Sequence, residues 1–185
     1  GCRAWHNSDD GFDLGTSKQF QVSNCWSFLN GYLPEGAGVG FKTGPSHVGI
    51  SNKRRIYNTL AAFNNYPGYA DQNMSEIYYG PVVEYLNNTS YKNQMGFASD
   101  NSSFNCNTGR ATVIYSNNLV YDSKWAYYDQ SYLTLCHSAA PYYPHYATYN
   151  NNTWLYTEDA PYWYYNPSVT VTDADFFTVD STLAI

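Results

Sequence analysis

The expected fold is decided by the stretch Gly1-Cys-Arg-Ala-Trp-His-Asn7, which recurs along the chain. Copies follow as Asn24-Cys-Trp-Ser-Phe-Leu-Asn30 and as segments that begin at Asn58, Asn87 and Asn117. Small or apolar residues alternate with polar ones inside each copy, which is the periodicity of a β-strand. A repeat of about 20 to 35 residues with short strands is typical of a parallel β-solenoid, whose coils stack at roughly 4.8 Å.

Equivalent positions of stacked coils form columns, so the motif predicts which side chains meet. Its last position predicts an asparagine ladder at a bend, because Asn amides bond to one another and Asn tolerates left-handed backbone angles. Its second position predicts small inward side chains, with the thiols side by side rather than in a disulfide. An immunoglobulin-like sandwich stays open, although its turns would not repeat Asn at one place. The ladder is Asn7, Asn30, Asn64 and Asn93, and the second column is Cys2, Cys25, Thr59, Asn88 and Asn118.

A glycine and an aromatic residue follow each of the first four motif copies. The echoes are Gly11-Phe-Asp13, Gly40-Phe-Lys42, Gly68-Tyr-Ala70 and Gly96-Phe-Ala98. In stacked coils this register places Lys42 one rung from Asp13, within roughly 5 Å at the backbone.

The pattern predicts an all-β domain of about five coils over residues 1–130. Residues 131–185 are aromatic and irregular, and we expect them to form a capping segment of the same domain. Such a cap covers the open sheet edge of the last coil. A sugar-stacking platform is the alternative role for these aromatic residues.

The composition limits the functional classes. Nine Lys and Arg against fifteen Asp and Glu give a net charge of −6, which argues against a nucleic-acid partner. No apolar run is long enough for a membrane span or resembles the core of a signal peptide. Four Cys are too few for a disulfide scaffold, and pairing of Cys106 with Cys136 stays open. We expect an extracellular or periplasmic β protein.

Three carboxylates cluster in a chain of which only 13% is charged. Asp9 and Asp10 lie at a turn, and Asp13 starts the next strand. Such a cluster suits Ca²⁺, which takes about six to eight oxygen ligands; a solvated Asp-Gly turn is the alternative. Lys42, beside them, forms a structural ion pair or, next to a bound cation, has a lowered pKa and acts as a neutral general base.

The only compact basic group is Lys53-Arg54-Arg55. Arg54 and Arg55 are candidate contacts for the carboxylates of an acidic substrate, and a solvated turn is the alternative. His47 is a further candidate substrate contact because it follows Lys42 closely, although single His residues are more often structural.

The sequence resembles polysaccharide lyase family 9, which comprises pectate lyases and relatives with a right-handed parallel β-helix. The likeness is strongest over residues 1–44 and continues weakly to Asp173-Ala-Asp-Phe-Phe177. Because the family has this fold, the resemblance implies a right-handed parallel β-helix here. The motifs that carry it are Gly1-Cys-Arg-Ala-Trp-His-Asn-Ser-Asp-Asp-Gly-Phe-Asp-Leu14, Asn24-Cys-Trp-Ser-Phe28 and Gly40-Phe-Lys-Thr-Gly44.

The resemblance also implies a function. In the family, the carboxylates of a D-D-x-x-D motif bind Ca²⁺, and the matching residues here are Asp9, Asp10 and Asp13. The lysine of the family's G-F-K motif is the Brønsted base, and the matching residue here is Lys42. A secreted or periplasmic calcium-dependent lyase that cleaves pectate by β-elimination is therefore expected, with rhamnogalacturonan as an alternative substrate. A further calcium-binding Asp lies one coil earlier in the family, and we expect it to precede Gly1. The alternative class is a non-catalytic β-helix that binds glycan or builds an assembly.

Overall fold

The computed structural model describes residues 1–16, 18–43, 53–71, 82–99, 112–123, 125–129, 146–152 and 163–164. Strands are the only regular elements in these ranges, and none of their residues belongs to a helix that could cross a membrane. The strands are β1 (Arg3–Trp5), β2 (Phe12–Leu14), β3 (Phe20–Ser23), β4 (Trp26–Phe28), β5 (Phe41–Thr43), β6 (Arg54–Tyr57), β7 (Leu60–Ala62), β8 (Pro67–Asp71), β9 (Val82–Leu86), β10 (Thr89–Tyr91), β11 (Met95–Ser99), β12 (Thr112–Ser116), β13 (Leu119–Tyr121), β14 (Trp125–Asp129), β15 (Tyr146–Asn150) and β16 (Trp163–Tyr164).

Every third strand pairs in parallel, which builds three sheets. Sheet A has the order β1-β4-β7-β10-β13, sheet B contains β2-β5-β8-β11-β14, and sheet C contains β3-β6-β9-β12-β15. Each successive set of three strands is one coil, so the first fifteen strands make five coils. The predicted all-β parallel β-helix of about five coils is confirmed.

The end of the solenoid differs from the predicted boundary at residue 130. Strand β15, at 146–150, pairs in parallel with β12 and completes the fifth coil. Strand β16 runs antiparallel to β14, with Tyr164 opposite Tyr127 and Trp163 opposite Tyr128. These two residues of the predicted capping segment therefore cover the end of sheet B. His47, Cys106 and Cys136 lie outside the described residues, as does most of 131–185.

The predicted asparagine ladder is confirmed. The amide Nδ2 of Asn7 donates to Oδ1 of Asn30 at 2.9 Å, Asn30 donates to Asn64 at 2.8 Å, and Asn64 donates to Asn93 at 3.0 Å. The last three of these residues are buried. The ladder satisfies polar groups inside the solenoid and fixes how each coil sits on the next.

The second predicted column is also confirmed, and it extends one residue further. Asn88 donates to Asn118 at 3.1 Å, and Asn118 donates to Asn152 at 2.9 Å. Thr59 donates its hydroxyl to Asn88 at 2.8 Å. Cys2 and Cys25 are free thiols, as predicted, although Cys2 is exposed on the first coil.

Left-handed backbone angles occur at both bends, immediately before the buried polar columns. They are absent from the ladder residues themselves, which corrects the expectation that ladder Asn residues adopt them. An Asn in this conformation costs less than other non-glycine residues because its short polar side chain bonds locally. The left-handed residues are His6, Leu29, Phe63, Lys92 and Asp122 at one bend and Asn24, Asn58, Asn87, Asn117 and Asn151 at the other.

The glycine-aromatic echo has two physical causes. A Cβ on Gly11 would lie 2.0 Å from the hydroxyl oxygen of Ser27, so no side chain fits where the chain passes the ladder. The aromatic residue that follows points inward and stacks on its equivalents. Ring centroids are 4.9 Å apart for Phe12 and Phe41 and 5.3 Å apart for Phe41 and Tyr69. This stack forms the centre of the core.

The ladder generates a test of stability. Asn64→Ala removes the two bonds its amide donates and the two its oxygen accepts from Asn30. We expect the free energy of unfolding to fall by about 2–4 kcal/mol, because buried partners lose their bonds. Urea unfolding measures the change, and exposed Asn65→Ala is the control. Equal effects of the two substitutions would contradict a stabilising ladder.

Candidate active site

Lys42 and Asp13 lie on the outer face of sheet B. Strands β2 and β5 pair so that Asp13 is directly opposite Lys42, as predicted. Alternation along each strand explains their outward direction, because Phe12 and Phe41 before them enter the core. The Lys42 Nζ is 3.8 Å from an Asp13 carboxylate oxygen.

Asp10 is the closest partner of Lys42. Lys42 Nζ donates to Asp10 Oδ2 at 2.8 Å, and the backbone N–H of Val39 donates to Asp10 Oδ1 at 2.9 Å. The Asp10 side chain is 2% exposed, whereas that of Asp13 is 59% exposed. One buried carboxylate therefore holds both the lysine and the backbone three residues before it.

Asp9, the residue before Asp10, makes a similar contact with the backbone. Its Oδ1 accepts the backbone N–H of Ala37 at 2.7 Å. Asp9 and Asp10 thus fasten the segment 29–40, which joins β4 to β5, onto the first coil. We name this segment the site loop.

The surrounding charges set the protonation of Lys42. Burial by itself lowers the pKa of the amine, but the hydrogen bond to Asp10 and the charges of Asp10, Asp13 and Asp9 outweigh it, so the pKa is raised. The ion pair therefore stabilises the fold fully below the ordinary lysine pKa, and this contribution is lost as pH rises through the raised value. In this arrangement Lys42 is a charged ion-pair partner at neutral pH.

The carboxylates suit calcium in their chemistry, since Ca²⁺ prefers hard oxygen donors. They are not gathered around one point, because no three His, Cys, Asp or Glu side chains of the described residues form a group that could hold a metal ion. One oxygen of Asp9 and both oxygens of Asp10 already accept hydrogen bonds within the protein. A carboxylate oxygen retains a second acceptor position, so these bonds leave room for a ligand role.

The predicted substrate contacts Arg54 and Arg55 have different environments. Arg54 is fully buried inside the solenoid, because strand β6 places it opposite Phe20 on the inward face. This position corrects its assignment as a substrate contact. Arg55 donates through Nε to a Glu84 carboxylate oxygen at 2.6 Å, and Lys53 lies 3.5 Å from the other oxygen. Arg55 is therefore paired, and Glu84 offsets part of the positive charge of this basic group.

The sequence interpretation missed the site loop. Its signal was the spacing of 34 residues between the motif copies at Asn24 and Asn58, the longest interval in the repeat. A second signal was the glycine-rich run Gly36-Ala-Gly-Val-Gly40. The backbone N–H groups that bind Asp9 and Asp10 leave no trace in the side-chain sequence.

Fold and site together define a parallel β-helix that presents a lysine among carboxylates on an outer sheet face. The Pel9A-like, right handed beta helix region matches residues 1–127. The chain therefore belongs to this family of right-handed β-helices, as the resemblance to polysaccharide lyase family 9 indicated.

Two curated relatives carry the name Pectate lyase L, one from Dickeya chrysanthemi and one from Dickeya dadantii (strain 3937). Each is 43% identical to this protein over 109 residues, which cover 54% of this chain and 24% of the relative. The chain therefore spans about a quarter of the length of these relatives. No solved structure matches the chain significantly.

The site geometry generates a test that separates Asp10 from Asp13. Asp10→Ala should lower the free energy of unfolding by about 2–4 kcal/mol, since it deprives Lys42 and the Val39 amide of a buried acceptor. Asp13→Ala should cost less than about 1 kcal/mol, because this carboxylate is exposed. Urea unfolding in the presence of a chelator measures both, and Asp10→Asn, which keeps an acceptor for Val39, should fall between them. A loss at Asp13 as large as that at Asp10 would contradict these roles.

Proposed function

We propose that this protein is the site-bearing part of a lyase that cleaves a uronic-acid polymer of the pectate type by β-elimination. The observation that carries the proposal is the position of Lys42 beside Asp10 and Asp13 on an outer sheet of a Pel9A-like β-helix. The identity with proteins named Pectate lyase L supports it. We place the protein outside the cell or in the periplasm, where an acidic plant polysaccharide is accessible.

The proposed reaction depends on the acidity of the proton at C5 of the uronide, next to its carboxylate. The neutral amine of Lys42 would take this proton, the electron pair would form the C4–C5 double bond, and the glycosidic oxygen at C4 would leave. The base must be uncharged, so the negative charge around Lys42 has to be offset in the active state. Asp9, Asp10 and Asp13 would have to converge on one point to hold a calcium ion, and when bound the ion would supply charge neutralisation for the carboxylates.

A non-catalytic glycan-binding role is the competing function. The raised pKa of Lys42 favours it for the protein without a cation, since a charged lysine binds carboxylates but removes no proton. Substitution of Lys42 separates the two functions.

Lys42→Arg keeps a positive charge but removes the capacity to act as a base, because a guanidinium stays protonated at working pH. We expect turnover of polygalacturonate to fall by about a hundredfold to ten-thousandfold at saturating calcium. The near-ultraviolet absorbance of the unsaturated uronide measures the rate. Lys92→Arg is the control, because Lys92 on the fourth coil pairs with Asp122 on the fifth, away from Lys42. Turnover of Lys42→Arg near that of the control would remove Lys42 from the mechanism.

The calcium proposal has a test that needs no turnover. Calcium at about a hundred times its dissociation constant should raise the free energy of unfolding by about 2.7 kcal/mol. Asp13→Asn should weaken the binding seen by calorimetry, because it removes a carboxylate without altering the Asp10 contacts. Asp122→Asn is the control, since Asp122 is an exposed carboxylate on another coil. The absence of any calcium-dependent stabilisation of the unsubstituted protein would refute the calcium site.

A further inference from the structure

Large apolar side chains of the site loop and of the next coil are exposed to solvent. Tyr32 is 64% exposed and Leu33 is 44% exposed, and Tyr66 on the next coil is 39% exposed. A contiguous exposed apolar patch bordered by polar residues is a mark of an interaction surface or a ligand-binding groove. We name these three residues the aromatic rim.

The backbone beneath the aromatic rim is fixed in place. Gly31 and Gly38 cross so closely that a Cβ on Gly31 would lie 2.5 Å from the Cα of Gly38, and both have positive φ. The N–H of Gly31 donates to the Asn7 carbonyl at 2.9 Å, and that of Tyr66 donates to the Gly38 carbonyl at 3.3 Å. These contacts hold the loop backbone through the protein's own groups, so binding there would not have to order it.

The aromatic rim is joined to the candidate active site by continuous contacts. Tyr32 follows Gly31, which touches Gly38, and Gly38 precedes Val39. Asp10 bonds to Val39 through one oxygen and to Lys42 through the other. Lys42 is three residues after Val39, which is about 10 Å of extended chain.

We propose that the aromatic rim is a sugar-binding subsite on the site loop that packs against the apolar face of a pyranose ring. The inference rests on the proposed function, because it takes the ring to be part of the same polyuronate. A polymer lying across sheet B extends beyond the residue that is cleaved and would reach the site loop. A tyrosine ring suits such a contact, since it offers a rigid apolar surface with a polar tip.

The size of the patch favours a sugar over a protein partner. The exposed parts of three side chains amount to on the order of 300 Å², whereas a standard protein interface buries about 800 Å² per partner. Glu35 is the only charged residue in the site loop. The rim therefore carries no cation for uronate carboxylates and would bind through C–H groups of the ring.

The test uses binding of a galacturonate oligosaccharide, measured by calorimetry in a Lys42→Arg background so that turnover does not consume the ligand. Tyr32→Ala should weaken binding by about tenfold, the equivalent of 1.4 kcal/mol, and Tyr32→Phe should stay within about twofold because it keeps the ring. Trp26→Ala is the matched control, since Trp26 is an exposed aromatic residue of the same coil but lies on sheet A. It should also stay within about twofold.

Unchanged binding of Tyr32→Ala would overturn the subsite, and so would an equal loss in Trp26→Ala. A change of oligomeric state in Tyr32→Ala, seen by sedimentation without loss of sugar binding, would assign the rim to a protein contact and also overturn it. In the protein with Lys42 intact, Tyr32→Ala should raise KM and leave kcat within about twofold. If that protein releases no unsaturated uronide, the proposed function fails, while the binding series still decides the subsite.

Discussion

The hydrogen bonds of the asparagine ladder are the constraint on which the remaining structure depends. The side-chain amides of Asn7, Asn30 and Asn64 each bond to the next coil, so a shift in register by one residue would leave several buried polar groups unpaired. The register then determines the glycine that passes the ladder, the aromatic residue that enters the core and the residue that points outward. Lys42 stands opposite Asp13 because of this register.

The columns could be predicted from the sequence because both bends of each coil begin with the same short spacing and repeat their polar residues. Segments between sheets B and C vary in length, which is why the predicted boundary at residue 130 fell within the fifth coil. Arg54 was misassigned for a related reason, since three consecutive basic residues give no alternation from which an inward position can be recognised. The contacts of Asp9 and Asp10 with backbone N–H groups could not be predicted, because every residue but proline carries that donor.

The candidate site shows how a structural and a chemical role meet in one residue. Asp10 is buried and binds both Val39 and Lys42, so it positions the site loop and keeps the lysine charged. A base at the same position has to lose its proton, which the nearby carboxylates oppose. Lys42 can serve the proposed chemistry only when their negative charge is offset, and the sequence alone, which shows residue types without their contacts, does not reveal this conflict.

The hydrogen bonds of the three carboxylates and a bound cation need not use the same oxygen lone pairs. A carboxylate has about four acceptor positions, and the bond from Ala37 uses one of those of Asp9. Asp10 is more heavily used, since Val39 and Lys42 each bond to one of its oxygens. Asp13 is exposed, accepts a local bond from the Gly15 N–H and lies 3.8 Å from Lys42, and neither contact fastens the site loop. Loss of calcium affinity on substitution of Asp10 would therefore combine a lost ligand with a displaced loop, whereas substitution of Asp13 would report the ligand role with little change to the fold.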